Sequence, residues 1–284
     1  MMWLSAIGIV GIVTLSGPAF AVPIVEQASG ANAAAIQASV NTFRADLGNP
    51  DNLNAPGPLG SGRREINWDG GGATNGTTAV TPFTVFQNTR GATFTTPGIG
   101  LTQTPITGGT VDIVPGGGVQ GSLADINATY ASTFVTFSPV RLFTPLGSNI
   151  TDGTFSVPGT GGTVPATVTG FGAVFTDVDL ASTTSIQYFN ANNVSLGTFF
   201  APTANNGLSF LGVSGFDEGI ARVRITSGNT ALGPNDANGN PTDVVVMDDF
   251  LYGEPKAIVP EPSSILLLAT GMAGFAWIWR RPQA

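Results

Sequence analysis

Between residues 79 and 252 the chain never holds one apolar pattern for long. Apolar and polar residues alternate in short runs, and Gly, Pro, Asn or Ser interrupts nearly every gap between them. A period of two sends one face of a strand into a core and leaves the other outside, whereas a helix needs a period near 3.6 sustained over a longer stretch. With 39 Gly and 20 Pro in 284 residues, the composition also favours short strands joined by tight turns. Strands are expected at residues 79–86, 92–95, 133–137, 141–145, 153–157, 164–169, 171–179, 185–190, 195–200, 208–213, 220–226 and 244–252. Their spacing suits a mainly β fold built as a β-sandwich.

One helix stands apart. Ile36, Val40, Phe43 and Leu47 form a single apolar stripe, Asn32 or Ser29 can cap its start, and Gly48-Asn49-Pro50 ends it. It is expected to pack on the sheet or across a sheet edge. Residues 51–61 are rich in Pro, Gly and Asn and read as a loop. The glycine-rich stretches at 70–76, 116–118 and 159–162 read as turns or insertions, because none follows a strand and opens a helix as a phosphate loop must.

Several function classes are excluded by what is missing. The sequence has no Cys, so no disulfide framework holds it. It has no His either, which removes a Ser-His-Asp triad, a Cys-His dyad and any His-ligated metal. Eighteen acidic against ten basic residues, with Lys256 the one lysine, leave no electrostatic footprint for nucleic acid.

Both ends are apolar. Residues 2–15 are almost wholly so and lead into Ala19-Phe20-Ala21, the A-x-A site of a secretory signal peptide (1–21), with cleavage after Ala21. No Lys or Arg precedes the run, so the N-terminal amine supplies the positive charge or the start lies upstream. At the other end, Val259-Pro260-Glu261-Pro262 precedes an apolar run over 265–279 and then Arg280-Arg281. That run makes roughly 22 Å of helix, short against the ~20 residues that span a bilayer core. Trp277 and Trp279 suit the interface, and the two arginines hold the end on the cytoplasmic side. Pro260 and Pro262 keep the preceding segment extended and accessible. The order of proline turn, short apolar helix and basic pair resembles the PEP-CTERM sorting signal of bacterial exported proteins. The resemblance implies the secretion translocon and a membrane-embedded exosortase as processing partners. It further implies transient anchoring in the inner membrane through the C-terminal helix, then a place at the cell surface or outside the cell.

The stretch from 62 to 255 is similar to a recurrent group of PEP-CTERM proteins, through residues 62–70, 138–151, 170–180, 208–213, 220–229 and 244–254. That similarity implies a jelly-roll-like exported domain and no particular activity. The expected organisation is a signal peptide at 1–21, a helix and loop at 22–61, a jelly-roll-like β-sandwich at 62–255 and a sorting signal at 259–284.

Four constellations bear on chemistry. Asp177 and Asp179 close a strand, where regular alternation puts both on one face with Phe175; Asp248 and Asp249 are adjacent and are expected on opposite faces. Acids in apolar strands must be paired, hydrogen-bonded or metal-bound, so Asp177, Asp179 and one of Asp248 and Asp249 form a candidate Ca²⁺ set. The other reading makes them turn caps, or partners of Arg222 and Arg224. Asp236 to Asp243 is a second oxygen-rich loop, for which Asn238-Gly239 favours a turn. Arg222 and Arg224 share a sheet face and suit an acidic sugar, or more simply neighbouring carboxylates. The cluster from Arg63 to Asp69 offers Trp68 as a stacking platform with Glu65, Asn67 and Asp69 as hydroxyl partners; alternatively Trp68 anchors the loop in the core, with Arg63 or Arg64 in a buried pair. Glu65, Asp69, Asp217 and Glu218 are the carboxylates from which a glycoside hydrolase could be assembled. The leading expectation is a non-enzymatic surface or matrix protein associated with exopolysaccharide. A Ca²⁺-dependent carbohydrate-binding module is the alternative and a carboxylate glycosidase the third.

Overall fold

The structure is a computed structural model and describes residues 22–70, 79–104, 123, 126–138, 141–217, 219–235 and 241–258. The expected signal cleavage residues Ala19 and Ala21 and the sorting residues Val259, Pro260, Glu261, Pro262, Arg280 and Arg281 lie outside these, as does Glu218. Among the described residues no helix is long and apolar enough to cross a membrane.

In chain order the elements are β1 (Ile24–Gly30), α1 (Ala33–Leu47), β2 (Arg63–Ile66), α2 (Gln87–Arg90), β3 (Ala92–Thr95), β4 (Gly100–Gln103), α3 (Tyr130–Thr133), β5 (Phe143–Leu146), β6 (Ile150–Phe155), β7 (Ala166–Thr167), β8 (Gly170–Val178), β9 (Ser185–Phe189), β10 (Ser195–Phe200), β11 (Ala204–Ser214), β12 (Arg222–Thr226), β13 (Val246–Gly253) and β14 (Lys256–Ala257). One sheet runs β1-β11-β8-β13-β5-β4, with β2 also on β13; the other runs β10-β9-β12-β6-β3.

This strand order is a rolled-up ribbon. Antiparallel pairs β5·β13, β6·β12, β8·β11 and β9·β10 follow one another along a single long hairpin. Folding the ribbon over brings β13 beside β8 and β12 beside β9. The result is β5-β13-β8-β11 facing β6-β12-β9-β10, a jelly-roll wrapping. β1 and β4 extend one sheet and β3 the other.

Between the sheets lies an aromatic core. Trp68 stacks on Phe143 at 3.7 Å, and Phe94 and Phe250 meet its ring at 5.7 and 5.0 Å between centroids. The helix covers the outer face of the larger sheet. Its N-cap Asn32 accepts the Ala35 N–H at 3.3 Å, and Ile36, Val40, Phe43 and Leu47 are its buried residues, packed with Val174, Leu208, Phe210 and Leu251. Two glycines opposite each other in the sheet, Gly172 and Gly212, make this docking close. A Cβ built on either would stand 2.8 Å from the Phe43 ring. Glycine in mid-strand is explained here by the approach of a helix.

Two expected strands are absent. Residues 79–86 touch the sheets only through single bridges at Val80 and Phe83, where Pro82 lacks the N–H a ladder needs, and the segment then turns into α2. Residues 133–137 begin inside α3 and continue extended but unpaired. Their N–H groups bond side chains instead: Val135 donates to Thr176 Oγ1 at 2.9 Å and Phe137 to Asp248 Oδ2 at 2.6 Å. β1, β2, β4 and β14 were not expected.

Candidate functional site

The cluster around Arg63 is a strand, and strand alternation sorts its charges. Arg64 and Ile66 are buried, whereas Arg63 and Glu65 point outward toward α1. Arg64 ion-pairs with Glu254, Nε and Nη2 donating to the carboxylate at 2.6 and 2.8 Å, and Nη1 donates to the Leu53 and Ala55 carbonyls at 2.7 and 2.8 Å. Both side chains are essentially inaccessible, at 0 and 1 %. Asn52 Nδ2 and the Leu59 N–H complete the shell of Glu254. Burial works to raise this carboxyl, but the bonds from Arg64, Asn52 and Leu59 outweigh it and hold it below the ordinary range.

On the outer face Glu65 sits between two guanidiniums. Arg44 of α1 reaches it through Nε and Nη2, the latter at 2.7 Å, and Arg63 Nε donates at 2.6 Å. Burial again works to raise the carboxyl, and the two arginines overcome it. Glu65 is therefore ionised and fully engaged at neutral pH.

β13 carries the other pair. Met247 faces Phe175 and Phe250 faces Ala173, so Asp248 and Asp249 together stand opposite the single residue Val174. This is a β-bulge. Val245, Met247, Phe250 and Tyr252 belong to the core between the sheets, and Leu251 packs under α1. The bulge thus places both acids on the outer face, where Ser138 Oγ reaches Asp248 Oδ1 at 3.4 Å and Asp249 Oδ1 at 2.6 Å. The expectation of opposite faces is corrected. Strict alternation would have driven one carboxylate into the aromatic core, which is costly without a partner. Trp68 completes the device: its Nε1–H donates to the Asp248 carbonyl at 2.8 Å, on the stretch where the ladder is interrupted. Burial, then the charge of Asp249, pushes the Asp248 carboxyl well up; burial also raises Asp249, partly offset by Ser138 and by Asp248. Both carboxyls are therefore displaced upward, Asp248 more than Asp249.

Beside this pair opens a cleft of about 300 Å³ between α1, the 51–53 turn and the 137–138 segment. Its walls include Gln37, Arg44, Asp51, Glu65, Asn67 and Asp249. The volume is at the lower end of small-ligand pockets, and the lining is more polar than most.

Trp68 is not a stacking platform. It is fully buried, and the anchoring alternative describes it: an indole in the core, with Arg64 in the buried pair. The candidate Ca²⁺ set is not brought together. Asp177, at φ +69°, leaves the alternation and accepts the Asn206 N–H at 2.6 Å. The Asp179 N–H donates to Asp243, which also binds the Leu180 N–H and Thr183 Oγ1, so Asp243 caps this turn. Asp248 and Asp249 belong to Ser138 and Phe137. Among the described residues no group of three or more acidic side chains is placed to hold a metal ion. Of the oxygen-rich loop, residues 236–240 lie outside the described residues; Asn229 Nδ2 donates to the Pro241 carbonyl at 2.6 Å.

Arg222 and Arg224 do share a face, and both bind Asp152, at 2.9 and 2.8 Å. They pair with neither Asp177 nor Asp179. The Arg222 guanidinium also lies 3.5 Å over the Phe189 ring. Asp69 accepts the Arg141 backbone N–H at 2.9 Å, and Asp217 sits in an exposed turn. Sequence reasoning missed Ser138, Gln37, Arg44 and Asp51 as cleft residues. The one available signal was the adjacent acids in an apolar run.

The family described as a PEP-CTERM protein-sorting motif matches residues 259–281. No curated protein and no solved structure matches the chain.

Proposed function

We propose that this chain, a PEP-CTERM protein sorted by exosortase toward the cell surface, serves there as a non-enzymatic β-domain associated with exopolysaccharide. The observation that carries the reading is the sorting motif joined to a body that pairs Glu65, Glu254 and Asp152 with arginines. Glu65 is spent on Arg44 and Arg63, Glu254 on Arg64, and Asp152 on Arg222 and Arg224. A glycosidase acid needs a raised carboxyl within reach of substrate; Glu65 on the cleft wall is held lower, and the most raised carboxyl, Asp248, is fully buried. Such a body is an acidic, Thr- and Asn-rich unit suited to a hydroxyl-rich matrix.

The test is to assay the processed body, residues 22–258, for turnover and for retention on a broad polysaccharide panel, including the host's own exopolymer. Retention on the exopolymer without turnover supports the reading. Turnover of any polysaccharide, lost in Glu65→Gln or Asp69→Asn, refutes it in favour of a hydrolase.

A second reading has its own observation, the polar cleft beside Asp249. Under it the cleft takes one or two sugar units, with Asn67, Gln37 and Ser138 as hydroxyl partners. Asn67→Ala and Gln37→Ala should then weaken binding to specific glycans without lowering the melting temperature. Binding measured in Ca²⁺ and in chelator separates a metal-dependent module from this metal-free cleft.

A further inference from the structure

The end of the body is held with two unequal grips. Up to Glu254 the chain is locked: the carboxylate is in the buried Arg64 pair, and the Glu254 N–H donates to the Gly62 carbonyl at 3.0 Å. Beyond it the hold weakens residue by residue: Pro255 is still buried, Ala257 is only partly buried against the core, and Lys256 and Ile258 are exposed. Pro255 has no donor to give. Lys256 and Ala257 form β14, which pairs only with the two-residue β7, as a small sheet separate from the sandwich. Ile258 makes one backbone bond, to Pro165 at 3.2 Å, and is 39 % exposed. The Lys256 ammonium reaches the Gly60 carbonyl in the open. The sorting motif begins at the next residue, 259. While β14 stays docked, no linker separates the folded body from a motif read at the membrane.

We propose that β14 is a detachable strand: it leaves β7 when the motif is processed, and residues 255–258 become the spacer between the body and the membrane-embedded enzyme. The inference rests on the sorting reading above. Four extended residues reach about 13 Å. A pairing of two residues in a two-stranded sheet is marginal by itself, so release leaves the sandwich intact. The Glu254–Arg64 pair stops the peeling, because continuing would strip a buried arginine of its partner. The strand uncovered is β7, and neither it nor the largely exposed stretch 159–165 leading into it carries a charged side chain, so this side meets a membrane surface with no charge to desolvate. The step breaks no covalent bond; it gives up the β14–β7 hydrogen bonds and the packing of Ala257 on the core.

Thr167 and Lys256 face each other in the register, and the chain has no other cysteine to interfere with an engineered bridge. The full chain carrying Thr167→Cys with Lys256→Cys, expressed in an exosortase-bearing host, should keep its tail when the bridge is closed. Each single variant should lose the tail as the wild type does. A six-residue Gly/Ser insertion after Ile258 should restore processing to the bridged variant. Processing of the bridged variant at the wild-type rate overturns the proposal. Hydrogen exchange on the full chain in detergent gives a second measurement. The Ile258 amide should exchange at least about a hundredfold faster than the Glu254 amide, since local opening there does not need global unfolding. Equal protection of the two amides overturns the proposal as well. A wild-type chain that keeps its tail, or loses it equally without exosortase, defeats the sorting reading itself and is distinguishable from failure of the strand alone.

Discussion

Replacing Arg64 with Met tests how much of the fold hangs on one buried pair. Methionine refills the aliphatic stem, so little cavity opens. What disappears is the cation, two charge-assisted bonds to Glu254 at 2.6 and 2.8 Å, and bonds to the Leu53 and Ala55 carbonyls. Glu254 remains buried with only Asn52 and the Leu59 N–H. Removing one partner of such a pair costs about 3–5 kcal/mol. For a body of this size each kcal/mol moves the melting temperature by about 2–4 °C, so the drop at neutral pH should be about 6–20 °C. The pH dependence gives an independent sign. In the wild type the folded carboxyl is held below its unfolded value, so its contribution is full above the ordinary glutamate pKa and is lost as pH falls through the lowered value. In the variant only the bonds from Asn52 and Leu59 oppose burial, so the carboxyl sits higher than in the wild type and the wild-type advantage is lost as pH falls. The two melting curves must therefore converge toward acid. Scanning calorimetry from about pH 4 to 8 reads both effects. A drop under about 2 °C at neutral pH, or a gap that widens toward acid, would refute the assignment of the pair as a structural clamp.

Three further outcomes are expected. Trp68→Ala should destabilise the body by about 3–5 kcal/mol, seen in chemical denaturation, because it empties the centre of the aromatic core and strands the Asp248 carbonyl; an unchanged midpoint would mean the indole is not buried there. Gly212→Ala should cost about 1–3 kcal/mol by lifting Phe43 of α1 off the sheet, with the loss concentrated in helix protection by hydrogen exchange. The Asp248 carboxyl is raised in the fold, so its contribution is full below the unfolded value and declines as pH rises through the folded one. Asp248→Asn removes that decline, and its advantage in melting temperature over the wild type should grow between about pH 4 and 8; parallel curves would show that the Asp248 carboxyl is not raised in the fold.

Local patterns were legible because local rules produce them. The apolar stripe of α1 and its Asn32 cap follow from helical periodicity, and β3 and β10 begin and end where the alternation does. The jelly-roll wrapping also follows the expected class. Other features depended on partners far along the chain. β2 reads as a polar cluster because Glu65 finds Arg44 on α1, Arg63 finds Asn49 just beyond that helix, and Arg64 finds Glu254, 190 residues away. β1 is an edge strand carrying Glu26 and Gln27, and an edge has no second neighbour to demand an apolar pattern. The cleft was invisible for the same reason: its residues come from α1, the 51–53 turn, β2, α2, the 137–138 segment and β13.

The sequence by itself determined the destination of this protein and the class of its fold. A sorting signal is a linear order of proline turn, apolar run and basic pair, and strand periodicity is equally local, so both can be read without a third dimension. Only the tertiary structure decided what the charged residues do. An acid beside an acid in β13 could have faced the core, a metal or the outside, and one extra residue opposite Val174 sent both outward to Ser138. The free energy of a buried charge depends on what surrounds it within a few ångströms, and those neighbours are assembled from every part of the chain.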